Sequence, residues 1–94
     1  MIREVVLDLV KKDLDKNSLL YNDALKYGLD LLVYTASCDA VHSKYGLVLF
    51  EEGMTYREIV AYQRVCTGSN KMLILAVYQN NRIHYVQVER LVAE

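Results

Sequence analysis

The apolar positions of this chain fall into two kinds of run, one with helical spacing and one without. Ile2, Val5, Val6, Leu9, Val10 and Leu14 recur at steps of three and four, which stacks them on one face of an α-helix. Arg3, Lys11, Lys12 and Asp15 fall mainly on the other side. Asn17-Ser18 supplies a break, so a helix is predicted over about Ile2 to Lys16. From Leu19 the rhythm resumes: Leu20, Ala24, Tyr27, Leu31, Tyr34, Cys38, Val41 and Tyr45 keep it without a slip, with Leu25, Leu29, Leu32 and Ala36 in a row beside them. Two adjacent rows predict a second, central helix from Leu19 to Tyr45, roughly 40 Å long, with Gly46 as its cap. Gly28 offers the alternative, a helix that stops early and a strand over Leu29–Thr35. The unbroken phase through Gly28 favours the helix.

The second half of the chain loses the helical period. Leu47-Val48-Leu49-Phe50 is a short apolar run suited to a buried strand, followed by the turn residues Glu51-Glu52-Gly53. Thr55 to Cys66 is ambiguous. Thr55-x-x-Glu58 is a capping box that announces a helix, while its β-branched and aromatic residues and the neighbouring hairpin argue for a strand; the strand is preferred. Lys71 to Arg90 is a β-hairpin. Met72–Tyr78 is continuously apolar, Ile83–Val88 alternates, and Asn80-Asn81 between them tolerates the positive φ that a two-residue type I′ loop demands. That loop sets Tyr78 opposite Ile83, Val77 opposite His84, Ala76 opposite Tyr85 and Leu75 opposite Val86. The predicted architecture is α+β in one domain over residues 1–94. Two N-terminal helices, the second long and central, pack on a C-terminal antiparallel sheet, a four-strand meander ending in the hairpin at 71–90. Both hairpin faces are largely apolar, so helices cover one, and more chain, a second copy or a partner must cover the other.

Composition narrows the function classes. A net charge of −1 and a pI near 6.1 supply no bulk field for nucleic acid or an anionic membrane. No stretch approaches a membrane span, the start of the chain lacks a signal peptide's apolar run, and two cysteines cannot make a disulfide framework. A cytoplasmic protein is expected. Cys38 and His42 share a helix face at i,i+4 and, with Cys66 and His84, could in principle make four zinc ligands. The spacing matches no zinc motif, and Cys38 sits in the apolar stripe where a free thiol behaves as a small hydrophobe. Asp39 beside His42 is read as a solvent-reaching turn. No catalytic residue, metal or cofactor is expected.

Residues 52–60, EGMTYREIV, resemble the opening helix of helix-turn-helix repressors of the Trp-repressor type. The turn glycine of that family is missing, however, and the would-be recognition helix, Met72–Tyr78, is apolar where base-reading side chains are needed. Eight tyrosines against one phenylalanine and no tryptophan are the remaining clue, because a tyrosine ring with a polar tip suits protein interfaces. The sequence therefore reads as a non-enzymatic protein-binding module, an adaptor or inhibitor such as a phage-type regulator of host machinery. It would act through a tyrosine-bearing sheet face or a sheet edge, with Tyr56, Tyr62, Ile74, Tyr78, Arg82, Ile83 and Tyr85 as partner-binding residues. The partner would be another protein or a second copy, with nucleic acid less favoured. The alternative is a winged helix-turn-helix nucleic-acid-binding regulator.

Overall fold

The structure is a computed structural model that describes residues 3–34 and 45–88. Helix α1 (Arg3–Lys16) is followed by β1 (Leu20–Asp23), a 3-10 turn (Leu25–Tyr27), β2 (Leu31–Tyr34), β3 (Tyr45–Leu49), α2 (Tyr56–Gly68), β4 (Met72–Gln79) and β5 (Arg82–Val88). The five strands form one sheet in chain order. Every neighbouring pair is antiparallel except β3 and β4, which run parallel.

The first helix and the hairpin match the sequence expectation; the middle of the chain does not. In place of a long helix from Leu19 stand two strands and a 3-10 turn. Local turn chemistry breaks the helical phase. Ser18 and Gly28 both take positive φ, 58° and 73°, and the Asp23 carboxylate accepts the Leu25 amide at 2.8 Å, holding the chain in a turn. Leu31 and Val33 are buried against α1 while Leu32 packs on the opposite side. A strand buried on both faces reads as a continuous apolar run, and such a run satisfies a helical template as easily as a strand one. The part of the predicted helix from 35 to 44, with Cys38, Asp39 and His42, lies outside the described residues.

The second correction is the sheet. Thr55 Oγ1 accepts the Glu58 amide at 3.1 Å, so the capping box starts α2, and the segment is a helix. A helix between two strands carries the chain back to the end at which β3 began, and β4 joins β3 in parallel. The sheet is therefore mixed, and the four-strand antiparallel meander is replaced. Helix α2 also supplies the cover that the second sheet face was expected to need. Val10 and Leu14 of α1 pack with Leu31, Val33, Leu47, Leu49 and Ala76 on one side. Cys66 of α2 packs with Ala24, Leu29, Val48, Leu73 and Leu75 on the other.

Gly46 is a point of close approach between the second layer and the sheet. A methyl group there would lie 2.7 Å from both Cys66 Sγ and Leu29 Cδ1, too near for real carbon contacts. At the far end of β3, Asp30 ties the layers together. Its carboxylate accepts the Leu49 amide at 2.7 Å and pairs with the Arg3 guanidinium of α1. The terminal hairpin pairs Tyr78 with Ile83, Val77 with His84, Ala76 with Tyr85 and Leu75 with Val86, as its sequence predicts. Asn80 and Asn81 hold the loop at φ 52° and 62°. No helix among the described residues is long and apolar enough to cross a membrane.

Candidate active site

Polar chemistry gathers where β3 and β4 begin and β2 ends. The last paired residues there are Val33 with Tyr45 and Tyr45 with Met72. Tyr34 and Lys71 each stand one residue beyond these pairs, flanking the start of β3 two inter-strand spacings apart, about 10 Å. Strand alternation puts both on the α2 side. Tyr34 follows Leu32, and Lys71 precedes Leu73, and both leucines belong to the α2-side packing.

Lys71 is placed by the end of α2. The Lys71 amide donates to the Cys66 carbonyl at 2.8 Å and the Asn70 amide to the Thr67 carbonyl at 3.1 Å, the paired bonds of a Schellman motif. Asn70, not Gly68, takes the left-handed conformation that this motif needs, at φ 58°; asparagine visits it more readily than most residues. The Lys71 ammonium donates to the Ser69 carbonyl at 3.3 Å and sits 5.3 Å from the centroid of the Tyr27 ring, within cation–π range. The Tyr34 hydroxyl accepts from the Asn22 side-chain amide at 3.3 Å, which orients it from the neighbouring strand. The Cys66 thiol lies under this corner, almost fully buried. Burial pushes its pKa up, with the Lys71 charge pulling the other way, so it is held as an inert thiol. A half-buried cation and an oriented hydroxyl, on strands about 10 Å apart at one open sheet end, can neutralise charge and exchange a proton on a group bound between them.

The expected partner-binding residues are not brought together. Tyr56 starts α2, 62% exposed, and Tyr62 packs on the α2-side core. Ile74 and Ile83 pack on the α1-side core. Tyr78 and Tyr85 share that side, where the Tyr85 hydroxyl donates to Asp13 at 2.6 Å and the Tyr78 hydroxyl to the Asn81 side-chain oxygen at 3.3 Å. Arg82 is exposed at the hairpin tip. The set divides over two faces because Tyr56 and Tyr62 belong to a helix, not to a strand beside the hairpin. Among the described residues no group of three or more His, Cys, Asp or Glu side chains is placed to hold a metal ion.

Lys71 entered the sequence reading only as the first residue of the hairpin, and Tyr34 only as one member of an apolar stripe. The available signal for Lys71 was the capping box followed by Ser69-Asn70, a helix stop immediately ahead of the strand. The winged helix-turn-helix alternative is corrected as well. Met72–Tyr78, the segment compared with a recognition helix, lies in strand β4, and among the described residues no second helix follows α2 to complete the motif.

The family model for the tRNA intron endonuclease, catalytic C-terminal domain, matches residues 8–85, from the middle of α1 to β5. No curated relative matches the chain. The family match overturns the expectation of a non-enzymatic binding module and with it the regulator, inhibitor and phage readings: it indicates an enzyme that cleaves RNA. The lower rank given to nucleic acid among the partners is corrected in the same way, while self-association remains consistent with the match. The chain belongs to the tRNA intron endonuclease family through that family's catalytic C-terminal domain.

Proposed function

We propose that this chain cuts a phosphodiester bond in an intron-containing tRNA precursor at the corner formed by Tyr34 and Lys71. The observation that carries the reading is the placement of Lys71. A lysine fixed by a helix cap, half-buried and beside the start of β3, offers a positive charge that needs no rearrangement as charge develops on phosphorus. RNA carries its own nucleophile, the 2′-hydroxyl. In the proposed step the 2′-oxygen attacks phosphorus as the bond to the 5′-oxygen breaks. One proton leaves the 2′-oxygen and one reaches the departing 5′-oxygen, giving a 2′,3′-cyclic phosphate and a free 5′-hydroxyl.

Tyr34 and His42 divide the two proton transfers. His42 lies outside the described residues; its part in the reading comes from the sequence. It is three residues ahead of β3, so the covalent chain keeps its Cα within about 11 Å of that of Tyr45, and imidazole is the side chain that exchanges protons near neutrality. Incubating the protein with an intron-containing tRNA transcript in the presence of a metal chelator tests the proposal. Cleavage that leaves cyclic phosphate and 5′-hydroxyl ends supports it. Intact RNA, or 5′-phosphate ends, would remove it.

We also infer that a second copy of the chain pairs along β5, in the cytoplasm that the sequence reading expects. β5 is the last strand of the sheet among the described residues. It leaves one edge of backbone groups open and has Val86 48% exposed, and open edges favour strand addition. Light scattering is expected to give a dimer that Val86→Lys dissociates; a wild-type monomer at micromolar concentration would count against the pairing.

A further inference from the structure

We infer that the groove between α1 and the tip of the β4–β5 hairpin binds the phosphate backbone of the RNA away from the bond that is cut. The inference rests on the RNA-cleaving reading and extends it to a second surface. The groove has a volume of about 490 Å³ and is lined by Lys12, Asp13 and Lys16 of α1 with Tyr78, Asn81 and Arg82 of the hairpin. Its three cations are exposed, and none forms an ion pair among the described residues.

Stability alone does not explain this cluster. Lys16 ends α1, where the helix dipole favours a cation. Lys12 stands one turn earlier and repels Lys16 at i,i+4, and Arg82 brings a third positive charge from a separate element. The carboxylate of Asp13 offsets only one of them and is engaged by the Tyr85 hydroxyl at 2.6 Å. A chain of net charge −1 thus concentrates unpaired cations in one concavity. Tyr78 forms a wall of it, its hydroxyl tied to Asn81 at 3.3 Å and its ring half-buried. Cations that track a backbone beside an aromatic ring on which a base can stack are the elements of single-strand RNA binding. Tyr78, Arg82 and Ile83, which the sequence reading marked for partner binding, all border this groove.

The groove lies away from the cleavage corner. β4 is eight residues long, about 26 Å at ~3.3 Å per residue. Lys71 precedes its first residue on the α2 side, whereas the groove opens beyond its last on the α1 side. Only an RNA long enough to pass around the sheet reaches both.

The test uses the full chain carrying K12Q, K16Q and R82Q together, with binding followed by fluorescence anisotropy across a salt series. One probe is the intron-containing tRNA transcript and the other a short oligonucleotide spanning only the cleaved junction. For the transcript, the slope of log affinity against log salt is expected to fall by about 2, from three phosphate contacts at roughly 0.7 each. Affinity for the transcript at moderate salt should drop at least tenfold, with the short probe bound as before. A control variant, K26Q with R57Q and R64Q, should change the slope far less. Equal slopes for wild type and the groove variant would overturn the inference. So would an equal loss on the short probe, or a control variant as impaired as the groove variant. Wild-type binding of a labelled polyglutamate peptide that the groove variant loses, with the RNA slopes unchanged, would assign the groove to an acidic protein segment and also overturn it. A wild-type chain that binds the transcript without cutting it removes the proposed function and leaves this measurement intact. One that cuts it, with the groove variant unaltered in binding, removes the groove alone.

Discussion

Replacing Lys71 with methionine is expected to lower kcat/KM for cleavage of an intron-containing tRNA transcript by about 10²–10³, an effect of ~3–4 kcal/mol on the transition state. Methionine keeps the length and apolar stem of the side chain while the charge, and with it the ammonium's contact with the Tyr27 ring, is lost. The Lys71 amide, which carries the bond to the Cys66 carbonyl, is untouched by the substitution, so the end of α2 keeps its cap. If Lys71 serves the increase of negative charge on phosphorus, the loss falls on kcat more than on KM. Lys71→Arg restores only part of it, because a planar guanidinium does not replace a compact ammonium in a fixed site. Single-turnover cleavage with enzyme in excess over RNA, across a range of enzyme concentrations, is the measurement. With the wild type active, an unchanged rate in Lys71→Met would remove the residue from the reaction. Tyr34→Phe and His42→Ala belong in the same series, since positioned proton transfer contributes about 10²–10⁴. Tyr34→Phe loses the oxygen to which the Asn22 amide donates and little else.

Gly46→Ala is expected to destabilise the fold by about 1–3 kcal/mol, the cost of forcing extra volume into a packed core. For a domain near this size that lowers Tm by roughly 4 °C or more. The added carbon would meet Cys66 Sγ and Leu29 Cδ1, each at 2.7 Å. Both residues are almost fully buried, so neither side chain has free space to retreat into. The effect comes from contact and not from backbone strain, since Gly46 is not among the positive-φ residues. A double-mutant cycle separates the two neighbours. Cys66→Ala removes the sulfur, so Gly46→Ala in that background should cost clearly less than in the wild type, a coupling between touching residues. Thermal or urea unfolding of the four proteins gives the answer, and strict additivity would rule out the sulfur contact as the cause. Because Cys66 also accepts the Lys71 amide, crowding at Gly46 should reach the cleavage corner as well and slow the reaction in the folded protein.

The elements that the sequence determined by itself are those whose signal is local. Helix α1 follows from a single apolar face, on which Val10 and Leu14 are buried. The last hairpin follows from Asn80-Asn81, whose tolerance of positive φ settles a two-residue loop, and that loop sets every pair from Tyr78–Ile83 outward. The start of α2 was written in Thr55 and Glu58, although the β-branched residues after them argued the other way. A hydroxyl bonded to an amide three residues on is a local event that needs no partner from the rest of the chain.

Tertiary structure decided the rest, because the deciding contacts join residues far apart in sequence. Leu31–Tyr34 fits a helical stripe and a doubly buried strand equally well. It became a strand because α1 covers Leu31 and Val33 from one side while the α2 layer takes Leu32 from the other, with β3 bonded alongside. The mixed sheet, too, was beyond a reading of isolated runs. Parallel pairing of β3 with β4 depends on a helix crossing between them, and misreading that one helix changes the direction of a strand. The candidate active site shares this origin. Tyr34 and Lys71 are separated by a helix and a strand in sequence and are ordinary residues singly; only the β2–β3–β4 register sets them at one corner. A strand's partners are chosen by burial summed over the whole core, and that sum does not exist until the chain has folded.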